Sequence, residues 1–169
     1  AAPVLELDRA QAVAHPFVEI AAHPGHRCEL KVISPALHVD PQALHDLRSA
    51  LPGVRLVLAA MGPKMCRLAG SSYDGAFFNW MTPGFASGAR EKVEAGAAEA
   101  GHDAPPVFGY VRTAIGGDSV ERLAKEEAFY RDLHKGYRDH FDRLGEPEGT
   151  VGVAASDRDD AQAKLGQYD

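Results

Sequence analysis

The chain has 169 residues, of which 45% are hydrophobic and 25% are charged, and its formal net charge is −6. Length and composition are typical of one soluble globular domain with a real core, and the negative charge argues against nucleic acid or an anionic membrane as a partner. Two cysteines are too few for a disulfide framework, and no apolar run approaches the roughly 20 residues that span a bilayer. With no signal peptide visible, we expect a cytoplasmic protein. The first residue is Ala1, which indicates a processed, a tagged and cut, or a fragmentary chain.

Predicted strands and helices alternate from the beginning of the chain. Val4 to Leu7 has the pattern of a strand, and a weak helix follows near Gln11 to Ala22. Leu30 to Ile33 is the next strand, and a helix opens at Asp40-Pro41 and runs to about Leu51. An Asp at the cap and a Pro in the first turn are typical of a helix start, which supports this helix.

The most informative stretch begins with a strand, Arg55 to Ala60, which stops at Met61-Gly62-Pro63 and changes at once into a helix. Gly62 can take backbone angles that are closed to other residues, and Pro63 suits the first helical position. The unpaired N–H groups and positive dipole end of this helix therefore face outward beyond the carboxyl end of a buried strand. The sequence predicts here an anion site of the kind that holds a phosphate in α/β proteins.

A second strand, Ala76 to Trp80, follows this helix, and another helix opens at Thr82-Pro83 and ends near Gly101. Asn79, at the strand end, suits a pocket better than a core because a buried amide needs hydrogen-bond partners. The two neighbouring strand ends thus offer an amide and a large aromatic ring beside the predicted anion site.

The second half of the chain continues the alternation. A strand is predicted from Val107 to Ala114, and Asp118-x-x-Glu121 resembles a capping box that opens a long helix reaching about Leu144. One apolar stripe along this helix indicates a single amphipathic element. A sixth strand, Thr150 to Ala154, and a short helix, Asp157 to Tyr168, come next. Strands that alternate with helices imply parallel pairing and right-handed crossovers.

Two α/β architectures fit this alternation, an open doubly wound sheet and a (β/α) barrel, and both gather ligands at the carboxyl ends of the strands. The Gly-x-Gly-x-x-Gly and Gly-x-x-x-x-Gly-Lys-Ser/Thr motifs are missing, which argues against a simple nicotinamide-binding Rossmann domain and a nucleotide triphosphatase. Gly116-Gly117 precedes a helix and is a weaker second candidate for contact with an anion.

Three segments, AAMGPKMCRLAG, YDGAFFNWMTP and the helix with REKVEAGAAEAG, resemble the carboxyl half of the luciferase-like monooxygenase family. The family pattern is an apolar strand, Ala-Ala-x-Gly-Pro, a helix ending Leu-Ala-Gly, an Asp-Gly pair and a polar residue at the next strand end. The residues that match this pattern in order are Ala59, Ala60, Gly62, Pro63, Leu68, Ala69, Gly70, Asp74, Gly75 and Asn79. The match is specific from about Val54 to Gly101, weaker from Val107 onwards and weakest before Leu51.

The resemblance implies a (β/α) barrel of the TIM type with the cofactor at the carboxyl ends of the strands. About six strand–helix units are predicted where such a barrel has eight, so we expect residues 1–169 to form a single, incomplete barrel domain. An incomplete barrel exposes strand edges, and we therefore expect a homo-oligomer, a homodimer or larger, that covers them. The loop at Ile33-Ser34-Pro35 departs from the Gly-containing turn of many relatives.

The family includes flavin- and deazaflavin-dependent members, among them methylenetetrahydromethanopterin reductases. The resemblance therefore places FMN or a deazaflavin coenzyme against the end of one strand, the start of its helix and the amide at the next strand end. The predicted cofactor-binding residues are Ala60, Met61, Gly62, Pro63, Lys64, Met65 and Asn79. A small-molecule substrate is predicted to contact Trp80, Thr82 and Arg112, where Arg112 would reach a phosphate or a carboxylate.

The predicted cofactor residues also have purely structural interpretations. Gly62 and Pro63 can make a tight strand-to-helix turn without any ligand. Lys64 can be a solvated charge, and Met61 and Met65 are of a type that more often fills a core than contacts a cofactor.

The other candidate residues have similar alternatives. Trp80 can pack beneath the helices, and Arg112 can form a surface ion pair. His23, His26 and Cys28 lie close together in sequence but match no strong zinc pattern, so no metal site is predicted.

The leading hypothesis is an oxidoreductase in which a flavin-type cofactor does the redox chemistry and the protein orients its ring. The resemblance implies either monooxygenation through a flavin–oxygen adduct or hydride transfer by a deazaflavin, and no sequence feature decides between them or identifies a catalytic residue. The alternative is a non-catalytic or degenerate barrel fragment that acts as a ligand-binding or oligomerisation module.

Overall fold

The computed structural model of the protein describes residues 30–33 and 41–168. Its main sheet consists of four strands, β1 (Leu30–Ile33), β2 (Arg55–Ala59), β3 (Gly75–Asn79) and β4 (Val107–Tyr110). They lie side by side in the order β1-β2-β3-β4, and each neighbouring pair is parallel. The predicted parallel order of these four strands is confirmed.

Three helices connect the strands, namely α1 (Pro41–Ala50), α2 (Pro63–Ser72) and α3 (Pro83–Ala100). Each begins with a proline, whose missing N–H costs nothing at the first helical position. The predicted end of α3 is confirmed at Gly101, whose φ of 78° is a left-handed conformation that favours glycine.

The main core lies between these helices and one face of the sheet. The residues of β2 and β3 on that face are Leu56, Leu58, Ala76 and Phe78. Above them α2 and α3 approach each other closely because Gly70 and Gly96 have no side chains. A Cβ on Gly70 would lie 1.9 Å from the carbonyl oxygen of Val93, and one on Gly96 would lie 2.1 Å from that of Arg67.

A second, smaller sheet is parallel as well and pairs β5 with β6. Its elements and those around it are β5 (Thr113–Ile115), α4 (Ser119–Leu133), α5 (Lys135–Leu144), β6 (Val153–Ala155), α6 (Arg158–Leu165) and a 3-10 turn at Gly166–Tyr168. The predicted sixth strand and the short helix after it are thus present, with slightly different bounds.

The prediction of one strand from Val107 to Ala114 is wrong, because the segment contributes to both sheets. β4 ends at Tyr110, and the chain leaves the main sheet at Val111 and Arg112. The backbone N–H of Val153 donates to the carbonyl oxygen of Arg112 at 2.8 Å, so pairing with β6 begins there. Apolar alternation along the segment does not reveal that its two ends have different partners.

The prediction of one long helix reaching Leu144 is also wrong. His134 has extended backbone angles (φ −156°, ψ 138°), and its Nδ1 accepts a hydrogen bond of 2.9 Å from the N–H of Gly136, so it ends α4 and caps α5. The predicted capping box at the start of α4 does not form either. The carboxylate of Asp118 caps no backbone N–H and lies 3.7 Å from the guanidinium of Arg122 instead.

The fold is therefore a mixed α/β structure with parallel sheets. The closure of a barrel with about six units stays a prediction, and the predicted elements at Val4 to Leu7 and Gln11 to Ala22 lie outside the described residues. Every helix within the described ranges is too short or too polar to cross a lipid bilayer.

Candidate functional site

The turn from β2 to α2 lies at the carboxyl edge of the main sheet. Ala60 is buried and its N–H donates to the carbonyl oxygen of Phe77 at 2.9 Å, which extends the pairing of β2 with β3 by one residue. Gly62 then has φ −127° and ψ 159°, which is extended backbone that any residue can adopt. The turn therefore makes no use of the wider range of backbone angles that Gly62 can take.

What Gly62 provides is open space. A Cβ at this position would meet the Nη2 atom of Arg143 at 3.8 Å and no other atom of the described residues within 4 Å. Within the described part of the chain, a ligand can thus approach the backbone at the start of α2 without displacing a side chain. This is the geometry that a phosphate needs at a helix N-terminus.

The first turn of α2 has N–H donors that no acceptor of the helix itself satisfies. Pro63 has no N–H, and the N–H groups of Lys64 and Met65 have no acceptor within the helix because they precede its first bonded residue. Gly62 has no side chain to cap them, and the first turn contains no acidic residue. The ammonium group of Lys64 is exposed, whereas Met65 is half-buried and packs against the main core.

The other described N-caps differ from that of α2. In α3 the hydroxyl of Thr82 accepts from the N–H of Phe85 at 3.2 Å, and in α6 the carboxylate of Asp157 accepts from two N–H groups at 3.0 Å. His134 caps α5, and α4 begins with acidic residues at its cap and in its first turn. Among α2 to α6, only α2 combines an uncapped N-terminus with the absence of negative charge. The Gly116-Gly117 turn before α4 is correspondingly a poor anion site.

Two residues that the sequence did not identify, His140 and Arg143 of α5, contact this turn. Arg143 Nη2 donates to the carbonyl oxygen of Met61 at 3.0 Å, and His140 Nδ1 lies 3.0 Å from the same oxygen. His140 Nε2 lies 2.6 Å from the carbonyl oxygen of Trp80, so the imidazole spans the ends of β2 and β3. Burial, helped by the charge of Arg143, lowers the pKa of His140, although the two carbonyl contacts oppose this shift.

The end of β3 has an unusual backbone. Trp80 has φ 51°, a left-handed conformation that is rare for a residue other than glycine, and its N–H donates to Asn79 Oδ1 at 2.9 Å. Asn79 is half-buried, and burial raises the pKa of Tyr137, a shift that the neighbouring Asn79 side chain opposes. The structure thus gives this amide a protein partner at the carboxyl edge of the sheet, and its contact with a cofactor stays a prediction.

Trp80 lies in an aromatic cluster beneath α4 and α5. Its ring centroid is 5.2 Å from that of Phe141 and 5.4 Å from that of Tyr130, in edge-to-face arrangements. The side chain is completely buried, so its position matches the alternative that Trp80 packs beneath the helices. Contact with a substrate stays a prediction for this residue.

Arg112 joins the same cluster from the segment between β4 and β5. Its guanidinium carbon lies 5.0 Å from the Trp80 ring centroid, and it donates to Glu126 and to the Tyr130 hydroxyl, both at 2.6 Å. The Nε atom of Arg112 and the Nε1 atom of Trp80 are buried without a hydrogen-bond partner among the described residues. Because Glu126 balances the charge of Arg112, the ion-pair alternative describes the observed contacts, and the substrate role stays a prediction.

Side chains of α5 therefore connect the turn that contains Met61 and Gly62, two of the predicted cofactor residues, with Trp80. Thr82 serves as the cap of α3, so its hydroxyl already has a partner. Across residues 30–33 and 41–168 no group of three His, Cys, Asp or Glu side chains is placed to hold a metal. His23, His26 and Cys28 lie outside these ranges, and the expectation that they bind no metal is not tested.

Solved structures of known proteins resemble this fold. An F420-dependent secondary alcohol dehydrogenase, in complex with an F420-acetone adduct, matches 70% of the chain with 17% identity and a TM-score of 0.53. The coenzyme F420-dependent tetrahydromethanopterin reductase from Methanopyrus kandleri matches 68% of it with 22% identity and a TM-score of 0.48. The matches cover 40% and 42% of those chains, so the present chain corresponds to less than half of either protein.

A comparison with curated protein sequences finds no match. The family model for luciferase-like monooxygenases, by contrast, matches residues 23–167, which is most of the chain and includes the whole of the β2–α2 turn and α5. The predicted resemblance is thereby confirmed, and this chain belongs to the luciferase-like monooxygenase family.

Proposed function

We propose that this chain forms the phosphate-binding part of an oxidoreductase that uses a deazaflavin coenzyme, or alternatively FMN. Family membership supports a flavin-type cofactor, and the F420-dependent secondary alcohol dehydrogenase named above is in complex with an F420-acetone adduct. The observation that carries the proposal is the uncapped, acid-free N-terminus of α2 behind a glycine that faces open space.

The residues at this turn fit a phosphate group. The backbone N–H groups of Lys64 and Met65 are the donors, and the positive end of the α2 dipole adds to their attraction for an anion. Arg143 is fixed beside Gly62 by its bond to Met61 and retains further N–H donors on its guanidinium. Lys64 supplies a second positive charge in the same turn.

The other proposed site residues are assigned from their positions near the ends of the strands. Ala60 and Pro63 frame the turn through backbone and shape, while Asn79 at the neighbouring strand end would face the cofactor. Thr82 and Arg112 are proposed to line the path of a small-molecule substrate. When bound, a deazaflavin supplies hydride transfer and FMN also permits oxygen chemistry, whereas the protein binds and orients the ring.

We further propose that the protein acts as a cytoplasmic homo-oligomer. On α4, the side chains of Phe129 and Leu133 are 62% and 49% exposed and lie one turn apart on the same helical face. Large apolar side chains grouped in this way favour contact with another copy of the chain. Light scattering at micromolar concentration tests this proposal, and a monodisperse monomer would argue against it.

Equilibrium titration with F420 and with FMN tests the cofactor proposal. Trp80 is the single tryptophan of the chain and provides an intrinsic fluorescence signal close to the proposed site. We expect saturable quenching by F420 and weaker or comparable quenching by FMN. If the longest chain encoded by the reading frame binds neither compound, the proposed function fails and the alternative of a degenerate barrel module is favoured.

A further inference from the structure

The imidazole of His140 is buried between two hydrogen-bond acceptors. Its exposed fraction is 0%, and its Nδ1 and Nε2 atoms lie 3.0 Å and 2.6 Å from the carbonyl oxygens of Met61 and Trp80. A backbone carbonyl can only accept a hydrogen bond. Both contacts can therefore be hydrogen bonds only when both ring nitrogens carry a proton, which makes the ring an imidazolium cation.

The neutral ring has one N–H and must leave one of the two contacts unmade. The shorter distance assigns that proton to Nε2, which donates to Trp80, so the lone pair of Nδ1 then faces the oxygen of Met61. Arg143 keeps that oxygen partnered, because its Nη2 donates to it at 3.0 Å. The neutral state is thus tolerable, but it lacks one direct connection between α5 and the turn before α2.

The surroundings of His140 favour the neutral ring as long as no anion is near. Burial lowers its pKa from the usual 6.5, and the positive charge of Arg143 on the same helix acts in the same direction. The ring of Phe85, from α3, is 5.0 Å away and carries no charge. On α2, the titratable groups of the first turn are the Lys64 ammonium and the buried Cys66 thiol, whose pKa burial raises to about 11.

We infer that His140 is a positioning residue for the anion site. Its imidazole gains a second proton when an anion binds at the start of α2, and the imidazolium then holds that turn to the end of β3. The inference rests on the proposed function. A negative charge near Gly62 offsets the field of Arg143 and stabilises the imidazolium, and Nδ1–H then donates to Met61. Binding of the anion and uptake of a proton by His140 are therefore thermodynamically linked.

The sign of this linkage follows from the two states of the ring. If anion binding raises the pKa of His140, the affinity for the anion is higher at low pH and falls as the pH rises through the pKa of the complex. Each unit by which anion binding raises that pKa corresponds to about a tenfold difference in affinity between the low-pH and high-pH limits.

Sulfate is a suitable probe because it does not titrate in this range. We expect its affinity for the whole chain, measured by Trp80 fluorescence, to rise by about tenfold between pH 8 and pH 5.5. Nitrogen-15 spectra of the imidazole should show the neutral Nε2–H form at pH 8 without sulfate and two protonated nitrogens with saturating sulfate at lower pH. A ring that stays neutral with sulfate bound at low pH, or an Nδ1–H tautomer, would overturn the inference.

His140→Gln supplies a matched neutral variant, since its amide can still donate one hydrogen bond at any pH. We expect it to bind sulfate with an affinity that no longer changes with pH, while His45→Gln, at an exposed position on α1, keeps the parent's profile. If the parent binds sulfate with no dependence on pH, the inference fails and the proposed function stands. If the parent binds neither sulfate nor F420, both fail. The spectra of the parent decide the protonation of His140 even if His140→Gln does not fold.

Discussion

The two strand-to-helix turns at the carboxyl edge of the main sheet are built alike, but they differ in the residue that caps the helix. Both follow a buried strand and begin a helix with proline, at Pro63 in α2 and at Pro83 in α3. The residue before the proline is Gly62 in one turn and Thr82 in the other. Thr82 closes the α3 N-terminus with its own hydroxyl, whereas Gly62 leaves the α2 N-terminus open to an external anion. One side chain at the cap thus separates a structural helix start from one that is available to a ligand.

The environments of the two turns sharpen this difference. After β3, Trp80 fills the space with a fully buried ring, whereas the Arg143 guanidinium is the only described group within 4 Å of a Cβ placed at Gly62. His140 contacts a carbonyl oxygen in each turn, so the closed turn provides a rigid support for the open one. The comparison predicts that variants of the α3 turn change stability, whereas variants of the α2 turn change binding.

The largest expected effect concerns the packing that holds α2 against α3. Gly70→Ala and Gly96→Ala place a Cβ within 1.9 Å and 2.1 Å of backbone oxygen atoms, which cannot move without separating the helices. We expect each to lower the free energy of unfolding by about 3 kcal/mol or more, measured by urea denaturation. Gly88→Ala is the matched control on α3, since no atom of the described residues lies within 4 Å of its Cβ, and it should stabilise by about 0.5–1 kcal/mol. Equal effects of the three variants would contradict the close approach of the helices.

The next largest effect is on cofactor affinity. Gly62→Val fills the space in front of the Lys64 and Met65 N–H groups, while its extended backbone angles accommodate valine without strain. We expect F420 to bind at least tenfold more weakly, which is about 1.4 kcal/mol, with little change in unfolding. Gly117→Val, before α4, is the matched control because it adds the same side chain at another glycine before a helix, where a Cβ meets no described atom within 4 Å. If Gly117→Val weakens binding and Gly62→Val does not, the phosphate lies at the start of α4.

The open turn itself was accessible from the sequence, because Gly-Pro after an apolar strand is a local signal. The bounds of β2, β3 and α3 also depend on local sequence signals, and the structure confirms them to within about one residue. The break at His134 was missed because the apolar stripe continues on both sides of it, and a His-Lys-Gly sequence is a weak stop signal.

Long-range partners were not accessible in this way. His140 and Arg143 contact Met61 across 79 and 82 residues, and no spacing within α5 indicates which strand end lies opposite. The same limit explains the error at Arg112, where one apolar run supplies a strand to each of two sheets. The role of a cation at a strand end is ambiguous in sequence, as Arg112 shows. The ion-pair partner of Arg112 is Glu126, which lies in the next helix.

A smaller effect is expected from removing the cap of α3 and from adding a cap to α2. Thr82→Ala removes the hydrogen bond to Phe85 and should lower the free energy of unfolding by about 1 kcal/mol, with F420 affinity nearly unchanged. Gly62→Ser should do the opposite, because a serine caps α2 and gains a few tenths of a kcal/mol while its hydroxyl occupies the N–H groups that an anion needs. Urea denaturation and F420 titration of both variants measure the two quantities separately. A Gly62→Ser variant that binds F420 as tightly as the parent would show that these N–H groups do not hold the phosphate.

The smallest effect is expected at Lys64. Its ammonium group is exposed, so it adds a screened charge to a site where the helix dipole, two backbone N–H groups and Arg143 remain. Lys64→Ala should weaken F420 binding by about 0.5–1 kcal/mol, roughly two- to fivefold, and this difference should shrink as salt is added because the charge is solvated. Arg67→Ala removes the same charge from the next turn of α2, where Arg67 is paired with Glu99, and should change F420 affinity less. Equal losses for the two variants would mean that net charge, rather than the position of Lys64 at the open N-terminus, attracts the cofactor.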